Sequence, residues 1–428
     1  MDRIIRLLEE AGVSAYRVTR KRTEAVELYF IKKKLDLPRY KDLDEISVEI
    51  FRDFESDGEK YRGSTTIYLE PSLSEEEISR KIRDAWYAAS FVKNRWYDLP
   101  KKTVERTVPS TASCRDLPLA EIADELADVV LSVNSDDTAF INSAEIFVRR
   151  ARVRIMDSAG TDVSFIRDMI RGEFVAQCTA PEDVEQFRQF SYDDLDPQAL
   201  REKLAEGIRD VRLRACAEGA PAAGRCSVIL TGENLRELLN YYSARSGSAM
   251  IYPGYSTWKI GENVQGEVTT GEKLRLSLVS ALPFSSEGIP MKERPLLEDG
   301  VLRTIHGNAR FAHYLGIEPT GSYEKLKLEA GSMSYEDMRR SGALEAVSFS
   351  DFQMDVMDGH FAGELRLALR TGSDGSLTAL TGGSVNGNLI PLQGRLVFSK
   401  ERYKDSSYEG PLAVLIPDVT IAGCQAAF

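Results

Sequence analysis

One run of small residues, Ala217-Glu218-Gly219-Ala220-Pro221-Ala222-Ala223-Gly224, constrains this chain more than any other. Its glycines and proline stop a helix, and nothing in it favours a strand, so regular structure on one side does not continue into the other. The patterns on the two sides differ. Upstream, apolar residues at three- and four-residue spacing mark helices over about 2–11, behind Ser74, behind Asp116 (with Pro118 in the first turn) and from Asp196-Pro197 to about Ala217. Ser74 and Glu77 have the spacing of a capping box, in which each side chain bonds the other's backbone amide. Strands are expected at Ala25–Phe30, Ile46–Phe54, Ser64–Leu69 and through much of 139–174, where Ala151, Val153 and Ile155 alternate with Arg150, Arg152 and Arg154. Residues 95–115, with Pro100 and Pro109, read as loop.

Downstream of the run come a strand, Ser227–Leu230, and one helix, about Asn234–Arg245; the rest is rich in β signals. Asp299-Gly300 and Asp374-Gly375 sit between apolar runs and read as hairpin turns. The segment Leu412–Ile421 reads as a strand broken at Pro417. Segregated helices and strands predict an α+β fold, with an N-terminal α+β domain over 1–220 and a β-rich C-terminal domain over 221–428. At roughly 100–200 residues per domain, a 428-residue chain holds two or three.

Charge removes several function classes. Lys plus Arg number 55 and Asp plus Glu 67, a formal charge of −12, which argues against a phosphate-binding surface and direct contact with nucleic acid. No apolar run approaches the roughly 18 residues of a membrane span, and the N-terminal helix, with Glu9 and Glu10, does not read as a signal peptide. The cytoplasm is the expected compartment, with no membrane partner. The cysteines (114, 178, 216, 226 and 424) are odd in number and form no CxxC pair, so neither a disulfide framework nor a zinc knuckle is expected. The first four lie among apolar or small residues and are expected to be inert; nothing near Cys424 would lower its pKa.

The residues alone offer no catalytic or metal site. The histidines are His306, His313 and His360, and no HExxH, GxSxG or GxxxxGK[ST] occurs. His306 and His313 would share a helical face, but Gly307 and the preceding hairpin favour a loop. His360 and Glu364 are flanked by Gly359 and Gly363, which suit a strand or loop better than a ligand-bearing helix. Gly382 to Gly387 reads as a tight turn or bulge, not a phosphate loop.

Four segments, taken in order, resemble the TldD/PmbA family, also known as peptidase family U62 or "modulator of DNA gyrase". They are Arg62-Gly63-Ser64-Thr65-Thr66-Ile67-Tyr68-Leu69 with the capped helix behind it; Phe284-Ser285-Ser286-Glu287-Gly288-Ile289-Pro290 leading into Leu297-Glu298-Asp299-Gly300-Val301-Leu302; Gly359 to Glu364 through Gly383-Ser384-Val385-Asn386-Gly387-Asn388-Leu389; and Pro417-Asp418-Val419-Thr420-Ile421-Ala422-Gly423. His360 stands where the family often has Asp, and Phe361-Ala362 where it often has Phe-Ser.

The resemblance implies a heterodimeric zinc metallopeptidase. Its TldD-like subunit carries HExxxH on the helix after the first strand of the C-terminal half, with a cysteine ligand further on. Its TldE-like subunit, also called PmbA, lacks them. On the matching helix here, Asn240, Tyr241 and Arg245 fall where His, Glu and His would be, Glu237 is the nearest acid, and Arg402 to Gly410 holds no cysteine. The resemblance therefore implies a TldE/PmbA-type subunit with no catalytic or metal residues of its own. Zinc is expected only in a TldD-like partner, and unfolded peptides are the expected substrates. Two alternatives stand beside it: a homodimeric scaffold binding peptide or protein, and a cryptic metallohydrolase built on the three histidines.

Overall fold

Alternation carries the first two strands further than their apolar content suggests. In the computed structural model, which describes residues 1–134 and 136–423, β1 (Ala15–Ile31) and β2 (Lys34–Ser56) form one long antiparallel hairpin. Its middle is polar on one face. Arg20 grips Asp44 with two hydrogen bonds (2.9 and 2.6 Å), and Arg22 grips Asp42 (3.0 and 2.7 Å). Cross-strand ion pairs here replace apolar pairs, which is why Ala25–Phe30 and Ile46–Phe54 mark only parts of the strands.

Five more strands complete the first sheet: β3 (Glu59–Leu69), β4 (Val104–Val108), β5 (Ala139–Asp157), β6 (Asp162–Cys178) and β7 (Val184–Tyr192). The order is β3-β2-β1-β5-β6-β4, with β7 also on β6. The expected loop over 95–115 is thus corrected: β4 pairs in parallel with β6, and a 3₁₀ turn spans Ser113–Asp116.

Helices cover one face of this sheet at its two ends. α1 (Asp2–Glu10) and α2 (Glu75–Ala89) bury Leu8 and Ile82 against Val18 and Val48. α3 (Leu119–Val133) and α4 (Pro197–Ala215) bury Leu126 and Leu204 against Ile146 and Phe174. The capping box forms as expected: Ser74 Oγ accepts from the Glu77 amide (3.2 Å), and the Glu77 carboxylate accepts from the Ser74 amide (2.8 Å). Asp196 caps α4 through the Ala199 amide (2.9 Å), while Pro118 sits at the N-cap of α3 instead of inside its first turn. Gly63 lets the end of α2 rest on β3, since a Cβ there would lie 1.8 Å from the Ala89 carbonyl oxygen. The middle of the opposite face is open, with Leu37 and Leu43 49% and 48% exposed.

The remaining chain starts with β8 (Gly224–Thr231) and α5 (Gly232–Arg245). Then follow β9 (Leu276–Val279), β10 (Arg294–Glu298), β11 (Val301–Leu302), β12 (Lys325–Leu328), β13 (Leu344–Met354), β14 (His360–Thr371), β15 (Leu377–Leu380), β16 (Ser384–Asn388), β17 (Val397–Phe398), β18 (Arg402–Lys404), β19 (Tyr408–Pro411) and β20 (Ala413–Ala422). One sheet has the order β11-β10-β9-β12-β19-β18, and another β13-β8-β20-β16-β14-β15. Because β13 also pairs with β14, the latter order closes on itself around Leu230, Leu238, Val385 and Val414. The fold is α+β, with a C-terminal region rich in strands.

Asp299-Gly300 turns β10 into β11 with both φ angles positive (53° and 81°), the geometry of a type I′ turn. Asp374-Gly375 lies in the turn from β14 to β15. The expected break at Pro417 is corrected: β20 runs through it, the register slips between Ile416 and Val419, and Asp418 adopts a φ of 64°. This bulge takes up a residue that cannot donate to the ladder. Cys114 and Cys178 are buried and Cys226 is half-buried, but Cys216, at the end of α4, is exposed; Cys424 lies outside the described residues. Among the described residues no helix is long and apolar enough to cross a membrane.

The loop of Phe284 to Pro290 joins the two sets of sheets. Phe284 packs with Ile155, Val163 and Phe165 of the first sheet. Gly288, at a φ of 74°, lies so close to Thr161 that a Cβ would come within 2.9 Å of its Cγ2. Glu287 stands 3.8 Å from Arg17 and accepts from the Ala309 amide at 2.9 Å.

Candidate functional site

α5 is held from below by Leu235, Leu238 and Leu239, all fully buried, so its register is fixed. Three residues then decide the chemistry of its last turns. Tyr241 is 3% exposed and meets Tyr242 (5.4 Å between ring centres) and Trp258 (5.7 Å) edge to face. Burial raises its hydroxyl pKa, with the Arg245 charge pulling the other way. It is therefore a neutral phenol and not a general base.

Arg245 lays its guanidinium over two rings, 5.6 Å from the centre of Tyr241 and 5.3 Å from that of Trp258. Its Nη1 donates to the carbonyls of Val356 (3.2 Å) and Met357 (2.8 Å). Asn240 is half-buried and hydrogen-bonds Glu237, whose carboxyl pKa is raised by burial and pulled partly back by Arg236 at 3.3 Å. The structure thus brings Asn240, Tyr241 and Arg245 to one end of α5 with Trp258 and the 354–358 segment. Nothing in the sequence flagged Trp258, whose partners lie 13 or more residues away.

A zinc ion does not fit this donor set. Arg has only donors and a fixed positive charge, and neutral Tyr and Asn are poor ligands. Within Arg402 to Gly410, Tyr403 lies at the other end of α5. Tyr403 packs on Gly232, where a Cβ would lie 3.6 Å from its ring, and Gly232 precedes Asn240 by about 12 Å of helix at ~1.5 Å per residue.

The histidines go to three separate places. His306 is half-buried beside the end of α5, with Nε2 bonded to the Ser243 carbonyl (2.9 Å) and a buried Nδ1 without a partner; burial lowers its pKa. His313, on the short helix Ala309–Leu315, meets Asp98 at 3.4 Å and the edge of Trp96. His360 starts β14, exposed, with Asp358 at 3.0 Å. Among the described residues no three His, Cys, Asp or Glu side chains are grouped to hold a metal ion.

Residues 223–423 match the family model of the PmbA/TldA metallopeptidase C-terminal domain. No curated protein matches the chain in sequence. Solved structures do match in fold. TldE from Thermococcus kodakarensis superposes with a TM-score of 0.78 at 15% identity, over 98% of this chain and 100% of that one. A candidate modulator of a DNA gyrase from Thermotoga maritima gives 0.76 at 18% identity, over 98% and 99%. Another from Bacteroides thetaiotaomicron gives 0.78 at 15%, over 99% and 98%.

Proposed function

Residues 223–423 belong to the PmbA/TldA metallopeptidase C-terminal domain family, and on that premise we propose that this chain is the non-catalytic, TldE/PmbA-type subunit of a heterodimeric zinc peptidase acting on unfolded peptides. The reading is carried by Arg245. A guanidinium fixed between two aromatic rings and two carbonyls occupies the position that the resemblance gives to the second histidine of HExxxH. Tyr241, neutral and buried, stands for the glutamate, so neither ligand nor general base is present there.

Bond cleavage then belongs to a TldD-like partner, which supplies the zinc. This chain's share is to complete a cleft that holds extended peptide through backbone hydrogen bonds, as an added strand. The test is metal content and cleavage of an unfolded peptide, for the chain alone and mixed with a TldD-like subunit. The expected result is no zinc and no cleavage alone, and both with the partner. Stoichiometric zinc with cleavage by the lone chain would overturn the assignment and return attention to the three histidines.

A further inference from the structure

We propose that the open face of the first sheet binds extended peptides with an apolar side chain at one end and carboxylates about six residues away. The inference rests on the peptide-handling role above and gives it a substrate class.

The apolar end is a groove of about 440 Å³ between the sheet and the junction loop. Val153, Ile155, Phe165 and Met169 line it from the sheet, and Leu282 and Phe284 from the loop. Along β5 the same face continues through Ala151 and Arg149 to Phe147, because alternate residues share a face. From Ile155, at the inner end of the groove, to Arg149 is about 20 Å at ~3.3 Å per residue, the length of a six-residue extended segment.

The far end is a cationic belt in a chain of net charge −12. Glu27, 1% exposed, is shared by three cations: Arg39, Lys41 (2.8 Å) and Arg149 (3.8 Å). Asp193 is shared by Arg167 (3.3 Å) and Lys325 (4.0 Å). Arg171, opposite Phe147 on β6, has no ion pair among the described residues; burial, then Arg167 and Arg149 nearby, lower its pKa, with Asp193 pulling partly back. Each carboxylate is outnumbered, so the belt has an unmet preference for anions. It ends one row further on, at the opposed pair Glu145 and Glu173, which limits how far an acidic ligand extends.

The belt itself carries aromatic rings. Tyr29 and Phe147 meet edge to face at 6.1 Å, with Arg39 over the first ring (5.4 Å) and Arg149 over the second (5.1 Å). Leu37, the partner of Tyr29 on β2, stays half-exposed beside them. An apolar groove leading to a basic belt matches an acidic peptide in both shape and sign.

The test uses the full chain alone and a fluorescent peptide with phenylalanine near one end and two glutamates about six residues on. Anisotropy should show binding that weakens with salt. Replacing the glutamates by lysine, or the phenylalanine by serine, should weaken it by about tenfold or more. Arg149→Glu with Arg171→Glu should reverse the charge preference, and Ala151→Trp, which obstructs the path from groove to belt, should weaken binding of the acidic peptide; circular dichroism checks that both variants fold. Peptides of either charge binding alike, no peptide binding, or charge reversals that change only the sedimentation coefficient would each overturn the inference, the last by making the face an interface between copies. Neither partner nor zinc is needed, so the two readings fail separately. Acidic-peptide binding without partner-dependent cleavage sinks the subunit role alone, and cleavage without peptide preference by this face sinks the inference alone.

Discussion

Replacing Arg245 by methionine tests whether its guanidinium is a structural element or a surface ornament. Methionine keeps most of the aliphatic stem and removes the charge, so the packing against Tyr241 and Trp258 changes little while the polar interactions vanish. The substitution removes the cation–π pairs at 5.6 and 5.3 Å and the hydrogen bonds to Val356 and Met357 at 3.2 and 2.8 Å. Each ring contributes about 0.5–1 kcal/mol at a partly exposed site. A bond from a charged donor contributes about 1.5–3 kcal/mol when its partner is left dry. Met357 is 48% exposed, so water can replace the arginine there, and the two bonds together are put at about 1–2 kcal/mol. The expected loss is about 2–4 kcal/mol for Arg245→Met. Arg245→Lys keeps the charge over the rings and loses the fork, so about 1 kcal/mol is expected. The assay is urea unfolding in a Trp86→Phe, Trp96→Phe background, where Trp258 alone reports and already touches the altered side chain. A loss below about 0.5 kcal/mol for the methionine variant would refute the structural role, because that is the scale of an ordinary surface substitution.

Three other outcomes are expected. Ser74→Ala should cost about 1 kcal/mol in urea unfolding, and adding Glu77→Ala should cost little more, since both act through the same reciprocal cap; fully additive losses would contradict the capping geometry. Gly63→Ala should cost more than about 2 kcal/mol or lift the end of α2 off β3, because the new Cβ would lie 1.8 Å from the Ala89 carbonyl oxygen; a parent-like midpoint rules that close approach out. Burial keeps the folded-state pKa of His306 below its ordinary value, so the unfolded chain takes up the proton first. Its contribution is complete above about pH 7.5 and is lost as pH falls through the unfolded-state value near 6.5, so the parent should lose stability relative to His306→Gln between about pH 7.5 and pH 5.5. Equal pH dependence in the two proteins would contradict it.

What was legible in the sequence was what neighbouring residues decide. The Ser74–Glu77 cap, the helix start at Asp196-Pro197 and the Asp299-Gly300 turn depend on a few adjacent positions, and each forms where its residues stand. What escaped depends on distant partners. The polar middle of β1 and β2 lies outside the strand runs Ala25–Phe30 and Ile46–Phe54, because Arg20 and Arg22 find their partners Asp44 and Asp42 at least 20 residues on. Residues 104–108 read as loop because their partner, β6, comes much later in the chain. Pro417 obeys its local rule, yet the strand survives because Asp418 absorbs the irregularity. In the candidate site, Asn240, Tyr241 and Arg245 could be placed on one helix, but the role of Arg245 could not be read, since Trp258 and the 356–357 carbonyls are set by the tertiary fold.

The position of β20 bears on how the protein is made. It lies between β8 and β16, at the heart of the ring of strands, and pairs with β8, the earliest strand of that ring. A nascent chain that has emerged as far as residue 400 has therefore made β8, β13, β14 and β16 but has no strand to insert between β8 and β16. Until residues 413–422 leave the ribosome, β8 keeps one unpaired edge and its apolar run Val228-Ile229-Leu230 lacks the cover that β20 gives. The first sheet, complete by residue 192, can close much earlier. Synthesis thus leaves a finished module waiting beside an open one, and any chaperone attending this chain has its work over the second half.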